Sequence, residues 1–245
     1  MQLENLGMAT PVGLLSKSAS VPIRFTAESE SPVRLSIGSR PAEEIRPARE
    51  YVRIRPLQIG DAGPLFAAIK ESVSQLSRWM TWVTADYSLE DCHAFITRAV
   101  QGWESGEHYT FGIFDMRDQS LAGSIALNHL SRRHNFANVG YWVRTARTRS
   151  GIGSAAATAA ARFGFDVLGL HRLEFLIPTT NIASQRVAQR AGAKFEGVLR
   201  NRLVLAGQTH DAAVYSLVPG DLLSPTTRKP SDGVEIWFSR KSPND

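Results

Sequence analysis

A single cysteine, Cys92, in 245 residues excludes an internal disulfide framework and a cysteine-based zinc cluster, since both need several thiols at fixed spacings. No run approaches the roughly 18 to 20 consecutive apolar residues that span a bilayer. The N-terminus lacks a basic region followed by a long apolar core, so no secretory leader and no membrane partner are expected, and the expected compartment is the cytoplasm. The chain also lacks an internal repeat. Its 43% hydrophobic and 21% charged residues are those of a soluble globular protein, long enough to bury a substantial core. The net charge of +5 suits an anionic ligand, and the excess of basic residues is small enough to be a solvated surface, so nucleic acid is not expected as a partner.

Residues 1–48 mix Ser, Pro, Glu and Arg without a sustained period, which predicts a poorly ordered N-terminal extension. A folded domain is expected over 49–221 and a C-terminal tail over 222–245, in which Val234-Glu235-Ile236-Trp237-Phe238 is apolar enough to dock. Val52 and Ile54 alternate with Arg53 and Arg55, the period of a half-buried strand. Leu65, Ile69, Val73 and Leu76 predict a helix from Asp61 to Met80. Ser88-Leu89-Glu90-Asp91 has the form of a capping box, opening a second helix through Ala94, Phe95, Ala99 and Val100 to Gly106. Cys92, in that helix, is read as half-buried packing rather than as a nucleophile.

Tyr109 to Phe114, Leu121 to Leu130 and Asn138 to Val143 read as a meander of three strands. Leu173 to Ile177 is a further strand, stopped by Pro178. Asn181 can cap a short helix with Ile182, Val187 and Ala191 near one stripe, ended by Gly192, and two strands from Phe195 to Val218 close the domain. Strands outnumber helices and mostly follow one another, so the fold class is mixed α/β and not doubly wound.

The most informative stretch is Thr148-Arg149-Ser150-Gly151-Ile152-Gly153-Ser154, between the strand ending in Val143 and an Ala-rich helix. A strand that turns through glycines into a helix leaves backbone N–H groups free to meet an anion. Arg144, Arg147 and Arg149 bias the field toward negative ligands. The turn is neither a Walker A loop, having no Gly-Lys-Ser/Thr, nor a dinucleotide Gly-x-Gly-x-x-Gly, and taken alone it fits a plain strand-to-helix connection equally well.

Together with Gly140-Tyr141-Trp142-Val143, Asn181-Ile182-Ala183-Ser184 and Ala191-Gly192-Ala193, this turn resembles the GNAT acetyltransferases, and more narrowly their RimJ/RimL group, over roughly residues 51–221. Trp79-Met80-Thr81-Trp82-Val83 and the capping box fit the RimL side of that group. The resemblance implies a central, mostly antiparallel, splayed sheet flanked by helices. It implies acetyl-CoA as co-substrate, no metal, a pyrophosphate held by Arg149, Ser150, Gly151, Ile152, Gly153 and Ser154, and a pantetheine arm along Tyr141, Trp142 and Val143. Thr148 departs from the family's Arg/Gln at the first position of its loop pattern.

The resemblance also implies that Asn181 orients the co-substrate and that Ser184 protonates the departing thiolate; read by themselves, the two are a helix cap and a surface hydroxyl. Trp142 reads by itself as a core residue. Ala188 stands where many relatives carry an acidic tyrosine, and Asn138 stands where the RimL pattern has a glutamate base. Glu107, His108, His129, His134 and Glu174 are within reach as bases by strand order, each read by itself as a solvated surface residue, and solvent water is an alternative base. The implied acceptor is the α-amine of a protein such as a ribosomal protein, or a small-molecule amine, with the enzyme a monomer or homodimer. A CoA-binding regulatory module without catalysis is the competing expectation.

Overall fold

Alternation along the first strand sets the plane of the sheet: in β1 (Val52–Pro56) Val52 and Ile54 are fully buried, while Arg55 turns to Asp61 through two 2.7 Å hydrogen bonds and lies 4.1 Å above the Phe114 ring. The computed structural model describes residues 52–223 and 234–236. The expected N-terminal extension lies outside the described residues, as does most of the tail.

After β1 come α1 (Ala62–Leu76), α2 (Leu89–Ser105), β2 (Tyr109–Asp115), β3 (Ser120–Ser131), β4 (Phe136–Val143), α3 (Ile152–Arg162), β5 (Arg172–Pro178), α4 (Ile182–Arg190), β6 (Lys194–Leu205), β7 (Gln208–Leu217) and β8 (Val234–Ile236). They form one sheet in the order β6-β7-β5-β4-β3-β2-β1-β8. All neighbours are antiparallel except β4–β5 and β1–β8. The short apolar tail segment thus docks as β8 along the edge of β1.

Helices cover the two faces unequally. Leu65, Ile69 and Leu76 of α1 and Cys92 and Ile96 of α2 gather over one face with Phe114, Leu121 and Trp142. The opposite face packs α3 against Phe111, Ile125, Val139, Phe175 and Tyr215, with Phe163 meeting Trp103, Tyr109 and Phe111 in edge and tilted contacts. Ala156, Ala157, Ala159, Ala160 and Ala161 of α3 are fully buried, and a π-helical turn, Phe163–Val167, continues the helix while burying Phe163 and Phe165.

Local signals set the ends of the elements. The capping box forms, with Ser88 Oγ accepting from Asp91 N and Asp91 accepting from Ser88 N, and α2 ends on Gly106 in the left-handed region. Three details differ from the pattern reading. α1 stops at Leu76 rather than Met80, where the chain tightens into a turn with Trp79 N donating to the Leu76 carbonyl three residues back. The buried stripe of α2 is Cys92, Ile96, Ala99 and Gly102, leaving Ala94 exposed and Cys92 fully rather than half buried. In α4, Ile182 is 51% exposed and Ala188 takes the buried position.

Phe163 links α3 to the aromatic cluster, so Phe163→Ala should cost about 3–5 kcal/mol. The expected observation is a lower denaturant midpoint with an unchanged m-value.

Candidate active site

β4 and β5 pair at only three positions, Phe136 with Arg172, Ala137 with Leu173 and Asn138 with Glu174. Beyond Asn138 each strand follows its other neighbour: β4 stays with β3 to Val143, and β5 stays with β7 to Pro178. A slot therefore opens in the sheet, with Gly140 to Val143 along one wall. Alternation sends Tyr141 and Val143 to the α3 face and Trp142 to the α1/α2 face, where its indole is 5% exposed. Trp142 is thus a core residue whose contribution to the slot is its main chain.

The slot leads to the glycine turn. Arg149 adopts φ 63° and Gly151 φ 89°, and α3 starts on Gly151 without a side-chain cap. Its first N–H groups are therefore left without the acceptor that a capping side chain supplies. The hydroxyls of the turn are spent on its own backbone: Thr148 Oγ1 donates to Thr145 O (2.9 Å), Ser150 Oγ to Arg147 O (2.6 Å) and Ser154 Oγ to Gly151 O (2.9 Å). Thr148, the departure from the family pattern, closes the turn that precedes the cradle. A Cβ on Gly153 would lie 3.3 Å from Val187 and 3.5 Å from Val143, so glycine lets α3 settle against both α4 and β4.

Of the three arginines expected to draw anions, two are committed elsewhere. Arg144 donates to Glu71 at 2.5 Å, and Arg147 pairs with Asp115 and Asp118. Arg149 is exposed and has no ion pair among the described residues. Glu71 also accepts from Ala146 N at 2.9 Å, Ser72 Oγ from Thr145 N at 3.0 Å, and Gln75 from the Thr145 hydroxyl at 3.0 Å. α1 thereby braces the approach to the cradle, a role that no local sequence signal for Glu71, Ser72 or Gln75 announces.

α4 closes the slot from the α3 side. Asn181 Oδ1 accepts from Ser184 N at 3.1 Å, the N-cap geometry, and this aims Ser184 inward. The Tyr141 hydroxyl lies 2.7 Å from Ser184 Oγ and donates to Ser184 O at 3.1 Å. Burial pushes the Tyr141 phenol up to about 12, so it keeps its proton at neutral pH. Tyr141, Asn181 and Ser184 therefore meet at one place, while Cys92 lies in the helical cluster on the other face, its thiol pushed up by burial. His129 and His134 are exposed around the β3–β4 connection, Glu107 is exposed, and the His108 ring lies over Gly102. Glu174 sits opposite Asn138 at the base of the slot.

Comparison with known proteins agrees with this architecture. The family model described as an acetyltransferase (GNAT) domain matches residues 52–194. The chain belongs to the GNAT acetyltransferase family. A Vibrio cholerae structure provisionally named a ribosomal-protein-serine acetyltransferase is 34% identical, with a TM-score of 0.60 over 68% of this chain and 92% of that one. The ribosomal-protein-serine acetyltransferase of Escherichia coli (strain K12) is 26% identical over 63% of this chain and 86% of its own length. Mycobacterium smegmatis RimJ, solved with a CoA disulfide, shares the fold at a TM-score of 0.65 and 22% identity over 78% of this chain and 93% of that one. This acetyltransferase has, among the described residues, no group of three or more His, Cys, Asp or Glu placed to hold a metal, and no helix long and apolar enough to cross a membrane.

Glu71 ties the cradle to its brace, and its hydrogen bond from Arg144 holds the carboxyl below its ordinary value. Such a group stabilises the fold above its unfolded pKa, and the benefit is lost as pH falls through the depressed folded value. The difference in Tm between wild type and Glu71→Gln should be constant above about pH 5 and close on further acidification. A pH series of thermal melts on the two proteins reads this directly.

Proposed function

We propose that this acetyltransferase moves the acetyl group of acetyl-CoA to a primary amine by direct attack, and that the acceptor is the N-terminal α-amine of a protein such as a ribosomal protein. The observation that carries the donor half is the alignment of an uncapped helix N-terminus with a slot between two parallel strands. The first suits a pyrophosphate, and the second exposes strand backbone to a chain of amides. From Val143 back to Asn138 is about 17 Å of strand, an extended path on which a pantetheine arm would lie. The relatives named for ribosomal-protein acetylation support the acceptor half.

In this reading the N–H groups of Gly151, Ile152, Gly153 and Ser154, with Arg149 and the Ser150 main chain, hold the pyrophosphate. The main chain of Tyr141, Trp142 and Val143 pairs with the pantetheine amides and stabilises charge on the acetyl oxygen. When bound, acetyl-CoA supplies an activated acetyl thioester. The C–N bond forms and the C–S bond breaks. The acceptor nitrogen gives up two protons, of which one balances the sulfur and the other leaves with a base. Ser184 supplies the proton to sulfur and regains one from the acceptor nitrogen, Asn181 holds Ser184 through the cap, and the Tyr141 phenol, which keeps its own proton, orients the Ser184 hydroxyl. The scheme uses no metal and no covalent enzyme intermediate.

Ser184→Ala should lower turnover roughly 100-fold with CoA affinity unchanged, whereas Gly151→Val should weaken CoA binding itself, since φ 89° strains a β-branched residue. A kinetically silent Ser184→Ala would remove Ser184 as the proton donor. Incubation of a cell lysate with the protein and acetyl-CoA, followed by mass spectrometry, should reveal new acetyl groups on protein N-termini. Acetylation confined to small amines would redirect the acceptor, and tight CoA binding with no turnover on any amine would point to a regulatory module.

A further inference from the structure

A row of polar residues crosses the sheet where the slot begins. Strand pairing places Asn128, Asn138, Glu174, Ser216 and Lys194 successively opposite one another on β3, β4, β5, β7 and β6. Paired residues share a face, and Asn138 shares that of Trp142, four residues along β4, so the row lies on the α1/α2 side. Ser184 and Tyr141 approach from the α3 side. The slot thus has a hydroxyl pair toward one face, at Tyr141, and at its base a carboxylate beside an amide toward the other.

Two acceptors in this row remain open. Asn138 Nδ2 donates to Asn128 Oδ1 at 2.9 Å, which leaves Asn138 Oδ1 buried and without a hydrogen-bond partner. A buried amide oxygen left unpaired is costly unless a donor arrives. Glu174 Oε1 accepts from Arg172 Nε at 2.8 Å, and its second oxygen takes no hydrogen bond among the described residues. The Glu174 side chain is 25% exposed, so it can meet a ligand from solvent and return a proton there. The other charged groups in and beside the row are occupied: Arg172 also holds Glu196, Glu196 accepts from Ser216 Oγ at 2.6 Å, and Lys194 pairs with Asp221 at 2.7 Å.

We infer that Glu174 and Asn138 form the acceptor-amine site, with Glu174 as the catalytic base. The inference rests on the acetyl-transfer reading above and supplies the base which that reading leaves unassigned. A primary ammonium has three N–H donors. One points to the open oxygen of Glu174 and one to Asn138 Oδ1. Proton transfer breaks an N–H bond and forms an O–H bond on Glu174, leaving a neutral amine that keeps two N–H groups. The lone pair is left where that proton was, and rotation of the amine about its retained N–H bond to Asn138 Oδ1 brings it round to the slot. The carboxylate missing from β4 is thereby provided by the residue paired with that position on β5.

Because an α-amine with a pKa of about 7.7 to 8.0 is already neutral at high pH, a base is most needed at low pH. Thiol release is measured with acetyl-CoA and a hexapeptide bearing a free N-terminal serine, an N-terminal-alanine hexapeptide and spermidine as the acceptor panel. Glu174→Gln should lower kcat/KM roughly 100-fold at pH 6.5 and recover to within about threefold of wild type at pH 9.5, where the peptide amines are largely neutral. CoA affinity should be unchanged. Affinity of the CoA-bound protein for the free-amine peptide that the wild type acetylates should fall several-fold at pH 6.5, with no change for its N-acetylated form. A Glu174→Gln protein matching wild type at every pH, or losing the same factor at every pH, would overturn the assignment while leaving acetyl transfer intact. A wild-type protein that releases thiol with none of these amines would remove the acetyl-transfer reading and this inference with it.

Discussion

Three paired positions hold β4 to β5, and the site exists because the pairing ends there. Beyond them neither strand loses its other partner, since β4 keeps β3 and β5 keeps β7, so the gap does not unravel the sheet. Sheet twist separates two strands that are no longer tied. The Tyr141–Ser184 hydrogen bond then spans the opening and fixes how closely α4 can approach β4. The parallel pair also needs a crossover, the only join of parallel neighbours within β1–β7, and that crossover carries the turn and α3. The fork, the glycine turn and the helix behind it are consequences of one topological choice.

The fold was legible where information is local. Alternation in β1, the capping box of α2, the stop at Pro178 and the glycine turn each involve residues within a few positions of one another, and the elements follow them closely. The apolar stripes of α2 and α4 were less so, because several apolar positions lie near one another around a short helix and tertiary packing decides which are buried.

Much of the site lay beyond local reading. The Tyr141 and Ser184 hydroxyls meet across 43 residues, and Arg144 finds Glu71 across 73. A cluster of Arg144, Arg147 and Arg149 reads as a basic patch, yet two of the three neutralise acidic neighbours that only the folded chain brings close. Asn138 was legible as a missing carboxylate, but its pairing with Glu174 depends on strand register. Motif order was informative about the donor side because those residues cluster around one turn. The proposed acceptor side is assembled across paired strands and leaves no contiguous trace.

The fully buried alanines of α3 set a dimension as well as a contact. On the helix side this contact is made largely by methyl groups, set against Phe111, Ile125, Val139 and Phe175 of the sheet, so α3 itself has few long side chains there to absorb an error by changing rotamer. The helix behaves as a rigid shim. Adding bulk at Ala157 or Ala160 would lift the helix as a unit, and its N-terminal turn, at the end of the lever, would move away from the slot. The spacing between the glycine turn and the slot along β4 is therefore governed in part by some of the smallest side chains in the protein.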